Sequence, residues 1–292
     1  MIGPNSVGIS SLPNEILINI LSLLPTRSLL PLTTTSHRIY DVILSIIHQR
    51  LLAAASMADR QLILECYHPS AKFTTPYYNC EYLGTDALEE EGCANEKDQC
   101  GSLGQLRGLY SHFRPVQPEG DRKVWTPRPS GGWLQATLNE MVGEKQGLVC
   151  QDVDLESYEL FCQLQSVVNV VRPGPKTGYF SSTTKISEGL MRVWRDWLSE
   201  RSQKLASESS EEHNKRLLWS SVKEDIGLRL RVVERRDLRP PLLRGRGDED
   251  PQVGYTLQYE ELVVRSAQLL LKLEASLERE QNHEGKAIVI VT

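Results

Sequence analysis

Three cysteines and one histidine in the middle of the chain have side chains that could bind zinc. Cys80, Cys93, Cys100 and His112 are separated by 12, 6 and 11 intervening residues. Structural zinc sites usually pair two cysteines about two to four residues apart, so that both thiolates face one ion. Because this spacing lacks such a pair, we expect free cysteines, no metal site and no cofactor.

The histidines and glycines do not form a recognisable catalytic signature. The sequence contains neither His-Glu-x-x-His nor Gly-x-Ser-x-Gly, and its glycine clusters match no phosphate loop or dinucleotide fingerprint. A catalytic triad could still assemble in space, because sequence order does not determine it. No residue pattern selects an enzyme, and we expect a non-catalytic protein.

Arginines are concentrated between residues 226 and 246, where seven of them accompany two acids. In the strand predicted over 228–234, Arg229 and Arg231 alternate with apolar residues and therefore share the outward face. They either pair with acids on neighbouring strands or bind an acidic or phosphorylated substrate segment, because guanidinium groups fork onto carboxylate and phosphate oxygens. They are candidate substrate-binding residues.

Two tryptophans among charged residues form another candidate recognition patch. If residues 189–197 form a strand, Trp194 and Trp197 lie on opposite faces. We expect Trp194 to pack, because an aromatic ring buries a large area. Trp197 then lies at the rim and joins the arginines as a candidate for binding substrate.

Composition narrows the class of partner and compartment. The 292 residues suggest about two domains at about 150 residues each. The net charge of -5 predicts no general attraction to nucleic acid or to an anionic membrane. No apolar run approaches the roughly 20 residues of a membrane span, and residues 1–11 lack the basic charge of a signal peptide. We expect an intracellular protein, in the cytoplasm or nucleus, with reduced cysteines.

The spacing of apolar residues predicts an α+β protein. Apolar positions over 12–52 recur at helical spacing in three short helices, with Ser36 capping the third. We predict a flexible segment over 1–11, a connecting helix over 53–68 and an acidic loop over 85–100. Turn signals and short strands over 69–292 favour a mainly antiparallel, sandwich-like sheet with a few helices. No repeat of 20 to 50 residues is visible.

Three short helices bury only a limited part of their apolar surface, so the stripe over 12–52 needs a partner. Either the rest of the chain covers it, or it is a docking surface for another protein.

The residues of this segment resemble an F-box. The resemblance rests on Leu-Pro-x-Glu-Ile at 12–16, Leu-Pro at 24–25, Ser-Leu-Leu at 28–30 and Ser-His-Arg-Ile-Tyr at 36–40. Pro31 and Tyr40 depart from the residues more frequent at their positions. The run over 189–198 has the general look of fungal-type F-box proteins with a non-repeat C-terminal domain.

The resemblance implies that this segment binds the Skp-type adaptor of a cullin-RING ubiquitin ligase while the remaining chain captures a protein substrate. Carried over by position, the adaptor contact would comprise Leu12, Pro13, Ile16, Leu17, Ile20, Leu21, Leu24, Pro25, Leu29 and Leu32. Ile39, Tyr40 and Ile43 would continue that contact or brace the helices. The alternative is a ligand-binding or lectin-like β-domain whose F-box serves an assembly outside ubiquitination.

Overall fold

The computed structural model describes residues 9–57, 59–72, 75–86, 102–117, 123–127, 133–137, 148–175, 179–203, 217–235, 252–281 and 289–290. Within these ranges no helix combines the length and apolar composition needed to cross a lipid bilayer. The α-helices described are α1 (Asn14–Leu21), α2 (Thr26–Leu29), α3 (His37–Ser56), α4 (Leu103–Arg107), α5 (Arg195–Gln203) and α6 (Ser266–Gln281). Short 3-10 helices lie at Ile9–Ser11, Leu30–Thr34 and Pro69–Ala71.

The third helix begins where the sequence predicts and ends earlier. The Ser36 hydroxyl accepts a hydrogen bond from the backbone N–H of Ile39 at 3.2 Å, which caps α3. Met57 follows the helix in the left-handed region, with φ 39°. This conformation ends the helical hydrogen-bond ladder. The connecting helix predicted over 53–68 is therefore wrong beyond Ser56.

Residues Gln61–Tyr67 form a strand that is paired at both edges and covered on both faces. Leu62, Ile63 and Leu64 are consecutive and all buried. A short continuous apolar run of this kind does not distinguish a helix from a doubly covered strand by its periodicity. Neighbouring strands on both edges therefore decide the outcome, which is a tertiary effect.

The strands form one large antiparallel sheet and a separate hairpin. The members of the large sheet are β1 (Gln61–Tyr67), β2 (Tyr77–Thr85), β3 (Tyr110–Val116), β6 (Val149–Leu155), β7 (Phe161–Pro173), β8 (Tyr179–Trp194), β9 (Leu217–Trp219), β10 (Ile226–Arg235), β11 (Val253–Arg265) and β12 (Val289–Ile290). The hairpin pairs β4 (Lys123–Pro127) with β5 (Trp133–Thr137).

The order in the large sheet is β12-β8-β7-β1-β2-β3-β11-β10-β9, and β6 pairs with β11. Leu64 lies opposite Tyr78 on one side and Val168 on the other. The α+β class with antiparallel strands is confirmed. Ten of the described strands form this one continuous sheet, and β10 carries a register shift against β11 between Arg229 and Leu230.

The chain divides into two compact units, each assembled from separated segments. The helical unit comprises Met1–Ala58, Gly84–Tyr110 and Arg265–Lys286, and the β unit comprises Asp59–Leu83, Ser111–Val264 and Ala287–Thr292. This division differs from the predicted domains 12–52 and 69–292, because α6 joins the helices. The predicted flexible segment and acidic loop lie mostly outside the described residues.

Candidate protein-binding surface

Helix α1 carries two adjacent apolar stripes, of which one is buried and the other is exposed. Leu17 and Leu21, one helical turn apart, are only 1% and 9% exposed. Ile16 and Ile20 have the same spacing on the neighbouring face and are 44% and 48% exposed. The single stripe predicted from the sequence therefore serves two purposes, and half of it remains accessible.

The exposed stripe is one part of a larger accessible set. We call the set Ile16, Ile20, Leu23, Leu24 and Leu30 the apolar surface of the helical unit. Leu23 is 84% exposed and Leu30 is 42% exposed. Sequence analysis missed both, because each is next to other leucines and periodicity alone does not tell which neighbour faces the core.

The predicted adaptor-contact residues fall into three groups. Pro13, Ile16, Ile20 and Leu24 are exposed, and Leu12, Pro25, Leu32, Ile39 and Tyr40 are half-buried. Leu17, Leu21, Leu29 and Ile43 are buried. The prediction that Leu17, Leu21 and Leu29 line a contact with another protein is wrong, because other helices of the same unit cover them. Burial of Ile43 among the helices matches the bracing role, which was one of its two expected roles.

Helix α6 covers parts of α2 and α3. Leu269, Leu270 and Leu273 are all buried on α6, which packs chiefly against α3 and also contacts α2 and α4. The helix is amphipathic, because these buried leucines recur at helical spacing while Leu277 and Glu278 are exposed. Its role is to close the core of the helical unit.

A polar network centred on Glu274 holds α6 to the other helices. Its carboxylate accepts hydrogen bonds from the Thr26 backbone N–H at 2.9 Å and the Thr26 hydroxyl at 2.7 Å. The Arg50 guanidinium donates to the same carboxylate at 3.0 Å and to the carbonyls of Ser22 and Leu24, both at 2.8 Å. A carboxylate beside the first amides of α2 is favourable there. These contacts fix the loop that presents Leu23 and Leu24.

Further polar contacts brace the start of the F-box-like pattern. Arg38 donates to the side-chain oxygen of Asn14 at 2.8 Å and to the carbonyl of Leu12. The Tyr40 hydroxyl accepts a hydrogen bond from the Leu103 backbone N–H at 3.3 Å. Tyr40 therefore braces the start of α4. Bracing the helices was one of the two roles expected for this residue, the other being contact with the adaptor.

The candidate substrate arginines of the β unit are paired with acids. Arg229 forms an ion pair with Glu261, and Arg231 lies 3.0 Å from Glu260. Both acids belong to the adjacent strand β11. Of the two interpretations of Arg229 and Arg231, the geometry matches pairing with acids on a neighbouring strand. Neither guanidinium is an isolated cation that faces solvent for an acidic substrate segment.

Glu261 connects three strands, because it also accepts a hydrogen bond from Nδ1 of His112 at 2.5 Å. Burial opposes ionisation of this carboxyl, but the His112 hydrogen bond and the charge of Arg229 outweigh burial and lower the pKa of Glu261. The carboxylate therefore stays ionised at neutral pH.

The tryptophans do not occupy one strand. Strand β8 ends at Trp194, and Trp197 lies on α5 with the Arg201 guanidinium 5.6 Å from its ring centroid. The premise that placed the two rings on opposite faces of a strand is wrong. Trp194 packs edge-on against Phe161 at 5.1 Å yet is 49% exposed.

The cysteines that the structure describes are Cys66, Cys80, Cys150 and Cys162, and all four are free. Burial raises the pKa of the Cys66 thiol to about 12 and that of Cys162 to about 11. Such thiols stay protonated and unreactive at neutral pH. Cys93 and Cys100 lie outside the described residues, and within those residues no group of His, Cys, Asp and Glu is arranged to hold a metal ion.

A protein-family model described as F-box-like matches residues 9–52. The matched segment contains the apolar surface, so residues 9–52 form an F-box-like domain. Such a domain indicates a role in binding the adaptor of SCF-type ubiquitin ligases, and F-box proteins are typically non-catalytic adaptors. No curated protein and no solved structure matches the chain.

Proposed function

We propose that this protein is a substrate-recognition subunit of a Skp-cullin-F-box ubiquitin ligase, acting in the cytoplasm or nucleus. The apolar surface of the helical unit binds the Skp-type adaptor, and the β unit holds a protein substrate. The chain performs no bond-making step. It raises the effective concentration of a substrate lysine near the ubiquitin-loaded enzyme.

The observation that carries this proposal is the accessible apolar surface inside the segment that matches an F-box. Large apolar side chains that stay exposed within one short segment are candidates for an interaction site. Their burial against a partner contributes about 25 cal/mol per Å² before the costs of association. The Glu274 network supports the proposal, because a held loop binds without a large ordering cost.

The test compares substitutions of equal chemistry on different surfaces of the helical unit. Ile16→Asp and Ile20→Asp each place a charge in the apolar surface, and we expect either to reduce capture of a purified Skp-type adaptor more than tenfold. Leu277→Asp is the matched control, because Leu277 is 46% exposed on α6 outside the matched segment. Leu17→Asp is unsuitable, because Leu17 is a core residue.

Adaptor capture that survives both isoleucine substitutions contradicts the proposal. A native purification of the wild-type chain adds a second readout, in which cullin accompanies the adaptor. Recovery of the adaptor without cullin favours the alternative, a ligand-binding β-domain whose F-box serves an assembly outside ubiquitination.

A further inference from the structure

The β unit contains a groove between two strands that are consecutive in the chain but not hydrogen-bonded as neighbours in the sheet. It encloses about 560 Å³ and lies between β6 and the first residues of β7. This volume falls within the range of about 300 to 1,000 Å³ that is usual for ligand sites. We call it the edge groove, lined by 151–154, 158–164 and His68.

The pattern of lining residues shows that strand edges face the groove. Residues 151–154 of β6 and 161–164 of β7 line it consecutively. A cavity on the face of a sheet would be lined by every second residue, because side chains alternate across a strand. Consecutive lining residues instead place the backbones of both strands along the cavity.

Strand pairing gives the same result independently. β6 pairs with β11 over its whole length, from Val149 to Leu155, and it has no other partner strand among the described residues. β7 pairs with β1 only from Gln165 onward, where β1 ends at Tyr67. The β1-side edge of residues 161–164 therefore continues past the end of β1, and it faces the groove together with the second edge of β6.

The walls of the groove combine acidic and apolar groups. Asp152 and Asp154 share one cation, Arg235, at 2.9 and 3.6 Å, and their side chains remain 58% and 50% exposed. Glu159, which also lines the groove, accepts a hydrogen bond from the Glu156 backbone N–H at 3.0 Å. The groove lining contains these three carboxylates and no lysine or arginine. Arg235 pairs with two of them, and Arg195 donates to the carbonyls of Glu156 and Ser157 in the adjoining loop. The lining acids outnumber these two cations, which favours a cationic ligand.

The loop that joins β6 to β7 adds accessible apolar area at the groove. Tyr158 is 78% exposed and Leu160 is 65% exposed, and both line the cavity. Aromatic and aliphatic side chains of this kind commonly anchor a bound peptide, while backbone hydrogen bonds supply affinity along an edge.

We propose that the edge groove binds an extended peptide segment with alternating basic and apolar residues, which adds as a strand along the edges of β6 and β7. Its basic side chains face Asp154 and Glu159, and its apolar side chains contact Tyr158 and Leu160. That this peptide is a ligase substrate rests on the proposed function. That the groove binds a peptide of this kind depends on the edge groove alone.

The experiment measures fluorescence anisotropy of labelled eight-residue peptides with the full chain. The probe alternates lysine and valine, the charge control alternates glutamate and valine, and the backbone control is the lysine peptide N-methylated at alternate amides. We expect binding of the lysine peptide only. Strand addition requires the amide N–H groups that methylation removes.

Protein variants locate the site. Asp154→Asn and Glu159→Gln each weaken binding of the lysine peptide about three- to fivefold, as expected for loss of one half-exposed charge at a binding surface. Glu81→Gln, an exposed acid on β2 outside the groove lining, leaves affinity unchanged. Bound peptide also slows hydrogen exchange of the amides at 151–154 and 161–164.

Several outcomes overturn the inference. They are no anisotropy change at about 1 mM peptide, equal binding of the methylated peptide, or no effect of the two groove substitutions. Adaptor capture, measured on the same variants, distinguishes the two proposals. A groove variant that still captures the adaptor but no longer binds the lysine peptide has lost the groove site only. A wild-type chain that captures no adaptor refutes the proposed function, and the peptide result is unaffected.

Discussion

At the scale of single residues, Glu274 stabilises the packing of the helices around the apolar surface. One carboxylate accepts hydrogen bonds from Thr26 and Arg50, and Arg50 in turn holds the carbonyls that follow α1. The Arg50 and Glu274 side chains are 20% and 18% exposed. Removing one partner therefore leaves the other partly desolvated and unpaired.

We expect Glu274→Ala to lower the free energy of unfolding of the helical unit by about 2 kcal/mol, because it removes several hydrogen bonds to charged groups. Urea denaturation followed by helical circular dichroism measures the change. Glu278→Ala is the control, since Glu278 is exposed on the same helix. Equal midpoints for the two variants would refute the role assigned to the network.

A second carboxylate, Glu261, makes the stability of the β unit depend on pH. Its pKa is lowered in the folded state, so folding is favoured by its ionised form. This contribution is present above the pKa of the unfolded chain and is lost as the pH falls through the lower folded value.

We therefore expect the stability difference between the wild-type chain and Glu261→Gln to shrink as the pH is lowered from about 7 to about 3. At neutral pH the variant is less stable by about 1–3 kcal/mol, because Arg229 loses its charged partner. Urea midpoints at several pH values measure the effect. A difference that is constant over this range contradicts the assignment.

At the scale of elements, the end of α3 separates a helix from a strand within five residues. The helix ends at Ser56, Met57 adopts a left-handed conformation, and β1 begins at Gln61. A side chain with a Cβ atom is strained in this region, by roughly 1–2 kcal/mol, whereas glycine is not.

Met57→Gly should accordingly stabilise the chain by about 0.5–1 kcal/mol, since relief of the strain exceeds the added entropy of the unfolded state. Ser56→Gly serves as the comparison, because it adds the same backbone freedom inside the last helical turn and should destabilise. Thermal denaturation of both variants checks the sign. A lower melting temperature for Met57→Gly would show that its side-chain packing matters more.

At the scale of the whole molecule, the F-box-like segment is not self-sufficient. Helix α6 begins more than 200 residues after the matched segment ends, yet it packs on α3 and buries Leu269, Leu270 and Leu273. Burial of each such leucine contributes about 1.5–3 kcal/mol. The helical unit therefore needs both ends of the described chain.

A chain ending at residue 265 should lose the fold of the helical unit and, with it, adaptor capture. A chain ending at residue 281 keeps α6 and should retain both. Hydrogen exchange at amides of α3 reports the difference, which we expect to be at least tenfold in rate. Protection of α3 in the shorter chain would show that the F-box-like segment folds without α6.

Several local features were predictable from the sequence because short-range forces determine them. The Ser36 cap, the helical spacing of Ile16 and Ile20, and the alternation of Arg229 and Arg231 with apolar residues in β10 follow from side-chain geometry and periodicity. The F-box-like order of residues over 9–52 is likewise readable along the chain. These features need only neighbours within a few residues.

Tertiary structure alone decided which apolar residues remain accessible and which strand edges remain unpaired. Leu17 and Ile16 are adjacent and chemically alike, and only the packing of α1 against the rest of the helical unit, chiefly α3, buries the first while leaving the second exposed. The edge groove likewise exists because β1 stops at Tyr67 while β7 extends to Phe161. Burial and strand pairing depend on segments far apart in sequence, so periodicity, which is a local signal, does not contain them.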